Sequence, residues 1–299
     1  MPTLSRCRFL LAAIFAAFAA CAYAGADPPP TVAAADAPAQ TPDIITGLWW
    51  NSNESGWGIH LTQRKDTVFA VWYTYDAQGQ ARWLVTSNCH MTTPLTCPSC
   101  VSGATCSGAI YEASGARFFN QEFDSSQVHL ANNGTLSLAF QDADHATMSY
   151  QYGNLNRTLP ISRQIFQGGF TPPPVNYTDL WWNPNESGWG LGLTQQYGVM
   201  FVTWFVYEGT TRPTWLVASS CAMTANNDGC SGTLYTTDGP PGPPASSTFD
   251  PSAVRVTPVG SVSLIFTDAN NGIISWNISG SSGMVETSTG SKVIRRNLF

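Results

Sequence analysis

The residues of this chain best suited to chemistry sit in one polar turn that occurs twice. Asn51, Asn53, Glu54, Ser55 and Trp57 belong to the string Trp-Trp-Asn-Ser-Asn-Glu-Ser-Gly-Trp-Gly at positions 49–58. Asn183, Asn185, Glu186, Ser187 and Trp189 belong to Trp-Trp-Asn-Pro-Asn-Glu-Ser-Gly-Trp-Gly at 181–190. A carboxylate, amides and a hydroxyl beside an indole are the groups from which sugar sites are built. The aromatic face stacks on the CH groups of the ring and the polar groups bond its hydroxyls. These ten residues form the candidate ligand-binding set. The same residue types also hold turns, and Glu54 could equally cap backbone amides or pair with Arg163. Glu54 and Glu186 would make a glycosidase pair only if the fold brings them within about 5–10 Å. All four histidines (His60, His90, His129, His145) lie in the first half of the chain, and Ser55 lacks the strand–elbow–helix setting of a hydrolase nucleophile. No Gly-rich phosphate loop is present. No catalytic residue, metal ligand or cofactor is therefore assigned. The chain is read as a non-catalytic binding or cell-envelope interaction protein. A secreted glycan-active hydrolase using Glu54 and Glu186 is the rival reading, and a structural or inhibitor protein the third.

The elements that must position these turns follow from a tandem duplication. Residues Leu48 to Met91 align without a gap on Leu180 to Met223, with 22 identities in 44 positions, and ten of the eleven tryptophans fall into two matching sets of five. Self-similarity of this kind fixes the architecture as two modules, 45–167 and 177–299, joined by a Pro/Gly-rich linker at 168–176. In the first module, alternation predicts strands near 47–51, 57–62, 67–75, 82–87, 108–112, 128–130, 136–140, 148–152 and 159–165. Eight or nine short strands with no helical period imply an all-β fold, two tandem antiparallel β-barrels, with a β-sandwich as the alternative. The third strand carries Phe69 and Tyr75 on one face and Trp72 on the other. A strand apolar on both faces must be covered twice, by the barrel interior and by the partner module or a ligand. Trp72, Trp83, Trp204 and Trp215 are accordingly read as core, or as the lining of a ligand cavity.

The N-terminus and the cysteine usage lead to the expectation of an exported chain. Arg6 and Arg8, the apolar run from Phe9 to Ala20 and the Ala22-Tyr23-Ala24 cleavage pattern read as a signal peptide at 1–24. Phe18-Ala-Ala-Cys21 is a looser lipobox that would instead leave a lipid anchor on Cys21. An Ala/Pro-rich linker spans 25–44. The expected location is periplasmic or secreted, with no transmembrane span. The formal charge of −6 becomes −8 once Arg6 and Arg8 leave with the signal. An acidic chain without a basic cluster has no footprint for nucleic acid or anionic membrane. Of the remaining cysteines, Cys89 aligns with Cys221 and Cys106 with Cys230, so the duplication selects Cys89–Cys106, Cys221–Cys230 and Cys97–Cys100 as disulfides. A zinc site from Cys89, His90, Cys97, Cys100 and Cys106 is the rival. The second copy keeps its cysteine pair without the C-x-x-C or the histidine, which favours oxidation.

Two resemblances join this reading. Gly47-Leu-Trp49 at the start of the first module, with Arg163 in its last strand, resembles the calycin signature of lipocalins and avidins, in which a basic residue from the last strand covers a first-strand tryptophan. The second module keeps Trp181 and Arg296, with Asp179 in place of Gly47. The resemblance implies a calycin-like barrel and, for function, a small apolar ligand. The repeated ten-residue string itself resembles a motif of exported proteins of Gram-negative bacteria, which implies export and attaches no activity. The partners expected are thus a glycan or small apolar ligand, or an envelope protein.

Overall fold

The computed structural model describes residues 44–299 apart from 94, 96, 170–171, 210 and 280–284. The expected signal peptide, the Cys21 lipid-anchor position and all but the last residue of the 25–44 linker lie outside the described residues. The first module forms β1 (Gly47–Trp50), β2 (Gly58–Arg64), β3 (Thr67–Tyr75), β4 (Ala81–Met91), β5 (Thr105–Ser114), β6 (His129–Phe140), β7 (His145–Tyr152) and β8 (Leu155–Arg163). The second repeats them as β9 (Asp179–Trp182), β10 (Gly190–Gln196), β11 (Val199–Glu208), β12 (Arg212–Met223), β13 (Gly229–Asp238), β14 (Arg255–Phe266), β15 (Asn271–Ile278) and β16 (Ser288–Arg296). Each set is an up-and-down antiparallel barrel, closed by pairing the first strand with the last. The closing pairs are Trp49 with Arg163 and Trp181 with Arg296. The strand count is eight per module because the segments expected at 128–130 and 136–140 run together as one twelve-residue β6. The gap between them holds Asn132, Asn133 and Gly134, a turn-like sequence that here pairs with β5 across a register shift between Ile110 and Tyr111.

The expected contact between the first-strand tryptophan and the last-strand arginine is present in both modules. The guanidinium of Arg163 lies 5.2 Å from the centre of the Trp49 ring, and that of Arg296 lies 5.2 Å from the Trp181 ring. Each arginine also donates to carbonyls at the barrel entrance, Arg163 to Ile44, Thr46 and Ala143 and Arg296 to Asn176, Thr178 and Ala269. A cation over an indole, with its remaining N–H groups satisfied, seals that end of the barrel. The three predicted disulfides are formed. They are compatible with an exported chain, and no described helix is long and apolar enough to cross a membrane.

The two barrels lie within one compact unit and are related by an approximate two-fold axis. The alternation of β3 explains how. Val68, Ala70 and Trp72 join the interior core of the first barrel, whereas Val71, Tyr73 and Tyr75 join a core shared with the second. Trp83 Nε1 donates to the Val206 carbonyl at 3.0 Å, and its counterpart Trp215 Nε1 donates to the Thr74 carbonyl at 2.9 Å. The module ends match as well. Phe299 packs on Phe69, and Phe166 on Phe201, each pair 5.7 Å apart at 48°. A reciprocal interface of this kind is what two identical subunits make in an isologous dimer; here one chain supplies both halves.

The segments between β5 and β6 and between β13 and β14 are exchanged across this axis. Phe118 and Phe119 leave the first module and pack against Trp204 and Trp276 of the second, with Phe118 also against Trp189. Arg117 and Asn120 fasten the segment to Glu286 and to the Thr287 carbonyl. In the opposite direction, Thr74 Oγ1 donates to the Pro243 carbonyl and Phe249 stacks on Tyr75. The exchange is not chemically equal. Barrel two receives two phenylalanines, whereas barrel one keeps its own polar cluster of Arg82, Glu112, Asn133 and Tyr152.

Candidate functional site

The duplicated turn is the same object in both modules. Asn51 Oδ1 accepts from the Asn53 amide at 3.1 Å while the Asn51 carbonyl accepts from the Glu54 amide at 2.9 Å. The Asn183, Asn185 and Glu186 equivalents lie at 3.0 Å in both bonds. An asparagine that bonds the backbone two residues on creates its own turn. The carboxylate then closes it. Glu54 Oε2 accepts from Trp57 Nε1 at 3.1 Å, and Glu186 Oε2 from Trp189 Nε1 at 3.0 Å. Gly56 and Gly188 follow with φ of +132° and +127°, a region open essentially to glycine alone.

Each carboxylate is also held by a cation of its own barrel, though not by Arg163, which the sequence offered as partner. Glu54 is gripped by both terminal nitrogens of Arg157, because Arg163 is committed to Trp49 and the entrance carbonyls. Glu186 is held by Lys292 Nζ, 2.7 Å from each oxygen. Lys292 is not at the position matching Arg157, which pairs with Tyr150 as Gly290 pairs with Trp276. A Cβ at Gly290 would lie 2.6 Å from the Trp276 ring. The larger indole therefore excludes a side chain there, and the cation sits two residues on, on the same face of the strand. Both oxygens of each glutamate are so occupied, and each carboxylate holds its own turn.

The turns also receive the partner module. A Cβ at Gly56 would come 2.7 Å from Val254, and one at Gly188 would come 2.6 Å from Val128. Tyr75 OH donates to the Gly56 carbonyl and Tyr207 OH to that of Gly188. Burial pushes the Tyr75 phenol up to about 12 and that of Tyr207 higher still, so both stay protonated donors. Asp124 and Asp250, exposed at the start of the one-turn helices that carry the exchanged segments, accept from Ser126 and Ser252, which lowers their carboxyl pKa values. They serve as caps.

Where the second module's turn meets the first module, an open groove of about 450 Å³ is left. Phe69, Val71, Trp83 and Val85 form one wall from the outward faces of β3 and β4. Trp182, Gly188, Trp189, Phe205 and Tyr207 form the opposite wall, Val128 and Leu130 close one side, and Ser87, Ser125, Ser187 and Asn297 supply polar groups. Among the described residues, none that lines the groove is charged. Ser125 Oγ is buried in this wall with no protein hydrogen-bond partner.

Of the candidate set, Ser187 and Trp189 line this groove. Asn183, Asn185 and Glu186 stand behind it as the turn's frame, and Asn51, Asn53, Glu54, Ser55 and Trp57 occupy the symmetry-related place. Phe69 lies on the outward face of β3 that the sequence marks for a second cover, whereas Trp182, Phe205, Ser125 and Leu130 carry no such signal as ligand contacts. Trp72 and Trp204 are interior residues, whereas Trp83 and Trp215 join the modules. His60 is buried at the module interface with Nε2 3.1 Å from the Leu193 carbonyl. His145 pairs with Asp142 on the surface. Among the described residues no three His, Cys, Asp or Glu side chains are grouped to hold a metal. Set beside protein-family models, curated proteins and solved structures, the chain matches none.

Proposed function

We propose that this is an exported, non-catalytic binding protein that takes a neutral glycan in the groove between its modules. The observation that carries this reading is the lining: aromatic walls, three serines and an asparagine, and no charge. Indole and phenyl groups stack on sugar CH faces, while serine and amide groups bond hydroxyls. An uncharged groove offers nothing to a uronate or a phosphate. Its open side favours a sugar over a small apolar molecule, because the outward hydroxyls of a sugar stay hydrated whereas an apolar ligand gains from burial on every side. Packing also speaks against a lipocalin-like internal ligand. Barrel one is filled by Trp49, Trp57, Trp72, Phe140 and Met148, and barrel two by Trp181, Trp204 and the inserted Phe118, all at most 2% exposed.

The test is titration of the mature chain with cellotriose, maltotriose and chitotriose, read by tryptophan fluorescence, beside palmitate as the apolar alternative. Binding of a sugar that Trp182→Ala weakens at least tenfold is the expected result. Binding of palmitate alone, or sugar binding indifferent to Trp182, overturns the glycan assignment.

A further inference from the structure

The approximate two-fold axis has a consequence for stoichiometry. We infer that the chain carries a second ligand seat, where the first module's turn meets β11 and β12 of the second, so that one chain binds two glycan ends. This rests on the glycan reading above and goes beyond it.

Several counterparts of the groove residues are reproduced in kind and in exposure. Trp50 stands for Trp182, both half-buried; Ser55 for Ser187 and Ser219 for Ser87, all exposed. Val254 over Gly56 replaces Val128 over Gly188. Val256, 57% exposed, replaces Leu130 at 56%. At the far end, Phe201 under Phe166 repeats Phe69 under Phe299, with the same separation and ring angle. The remaining counterparts, Thr203 for Val71, Tyr73 for Phe205, Pro251 for Ser125 and Gln164 for Asn297, are uncharged too. A surface that repeats the tryptophan, the serines and the exposed aliphatic residue, with uncharged groups at the substituted positions, offers the same kind of contacts to a neutral ligand.

The two seats are not equal. Pro251 has no hydroxyl to replace that of Ser125, so the second seat lacks one donor and is the weaker. The end of the first module also lies at its far end, where the Phe166 amide donates to Gln196 Oε1. Each seat is built from both modules, so neither survives in half a chain. Two seats on one rigid body suit a polysaccharide strand or a surface dense in the same sugar, where the second contact forms at high effective concentration.

The experiment is isothermal titration of the mature chain with whichever of cellotriose, maltotriose or chitotriose it binds, beside Leu130→Arg, Val256→Arg and the double variant. Both positions are exposed, so an arginine fits on the surface; circular dichroism verifies folding. Two ligands per chain, one in each single variant and none in the double, is the expected result. One ligand per chain, abolished by Leu130→Arg and untouched by Val256→Arg, overturns the second seat and leaves the first standing. No binding of any of the three sugars, or binding that ignores both arginines, overturns both.

Discussion

Acid should loosen this protein through one histidine. His60 is fully buried between the modules, its ring above Gly192, where a Cβ would lie 2.8 Å from Cδ2. Nε2 reaches the Leu193 carbonyl, while Nδ1 has no hydrogen-bond partner. Burial pushes its pKa from 6.5 down to about 4, against the smaller opposing effects of that carbonyl and of Asp179. Asp179 is itself claimed by Arg64 and Arg296. Imidazole is therefore neutral in the fold but takes up a proton in the unfolded chain below pH 6.5. Stability from this residue is complete above that pH and is lost on acidification, by about 2 kcal/mol at pH 5 and about 3 kcal/mol at pH 4. For a chain of this size that is a fall of roughly 4–8 °C in Tm between pH 7.5 and 5. Urea unfolding across this range, on the parent and on His60→Gln, measures it. The amide of glutamine keeps a donor for Leu193 and cannot titrate. Asp124, Asp142, Asp250 and Asp268, whose pKa values are lowered from 3.8, act below this window. Glu208, raised by burial, acts in the opposite sense and equally in both proteins. The expected result is a parent that loses about 2 kcal/mol more than the variant. Parallel pH profiles would refute a buried, neutral His60.

Two further predictions probe the exchange between modules. Phe118→Ala should cost about 3–5 kcal/mol, as for any buried aromatic truncation, because its ring packs on Trp189, Trp204 and Trp276 inside barrel two; a loss below 1 kcal/mol in denaturant melts would mean that the segment is merely laid on the surface. Gly188→Ala meets both a backbone penalty and Val128, and should cost about 3 kcal/mol. Gly103→Ala, also at positive φ but with nothing within 4 Å, should cost about 1 kcal/mol; equal losses would show that the partner module contributes nothing at the turn.

The sequence by itself determined the two modules, the all-β alternation and the disulfide pairs. All of these rest on local spacing or on one copy matching the other, and a period of two along a strand needs no knowledge of distant neighbours. It also showed that β3 must be covered on both faces, since Phe69 and Tyr75 cannot share the interior with Trp72. Only the tertiary structure decided what covers them. The repeated turn, kept in both copies apart from Ser52 and Pro184, reads as a binding site, yet its carboxylates are taken up within the protein, Glu54 by Trp57 and Arg157 and Glu186 by Trp189 and Lys292. The cation partners escaped the sequence because they lie 103 and 106 residues away and at non-matching positions. Gly56 and Gly188 read as turn glycines; that they are also the floor on which Val254 and Val128 rest depends on an exchange of segments that no periodicity encodes. The groove has the same origin. Its walls come from two modules, each reading as a complete barrel alone, and their complementarity exists only once the outward aromatic faces of β3, β4, β11 and β12 are removed from water together.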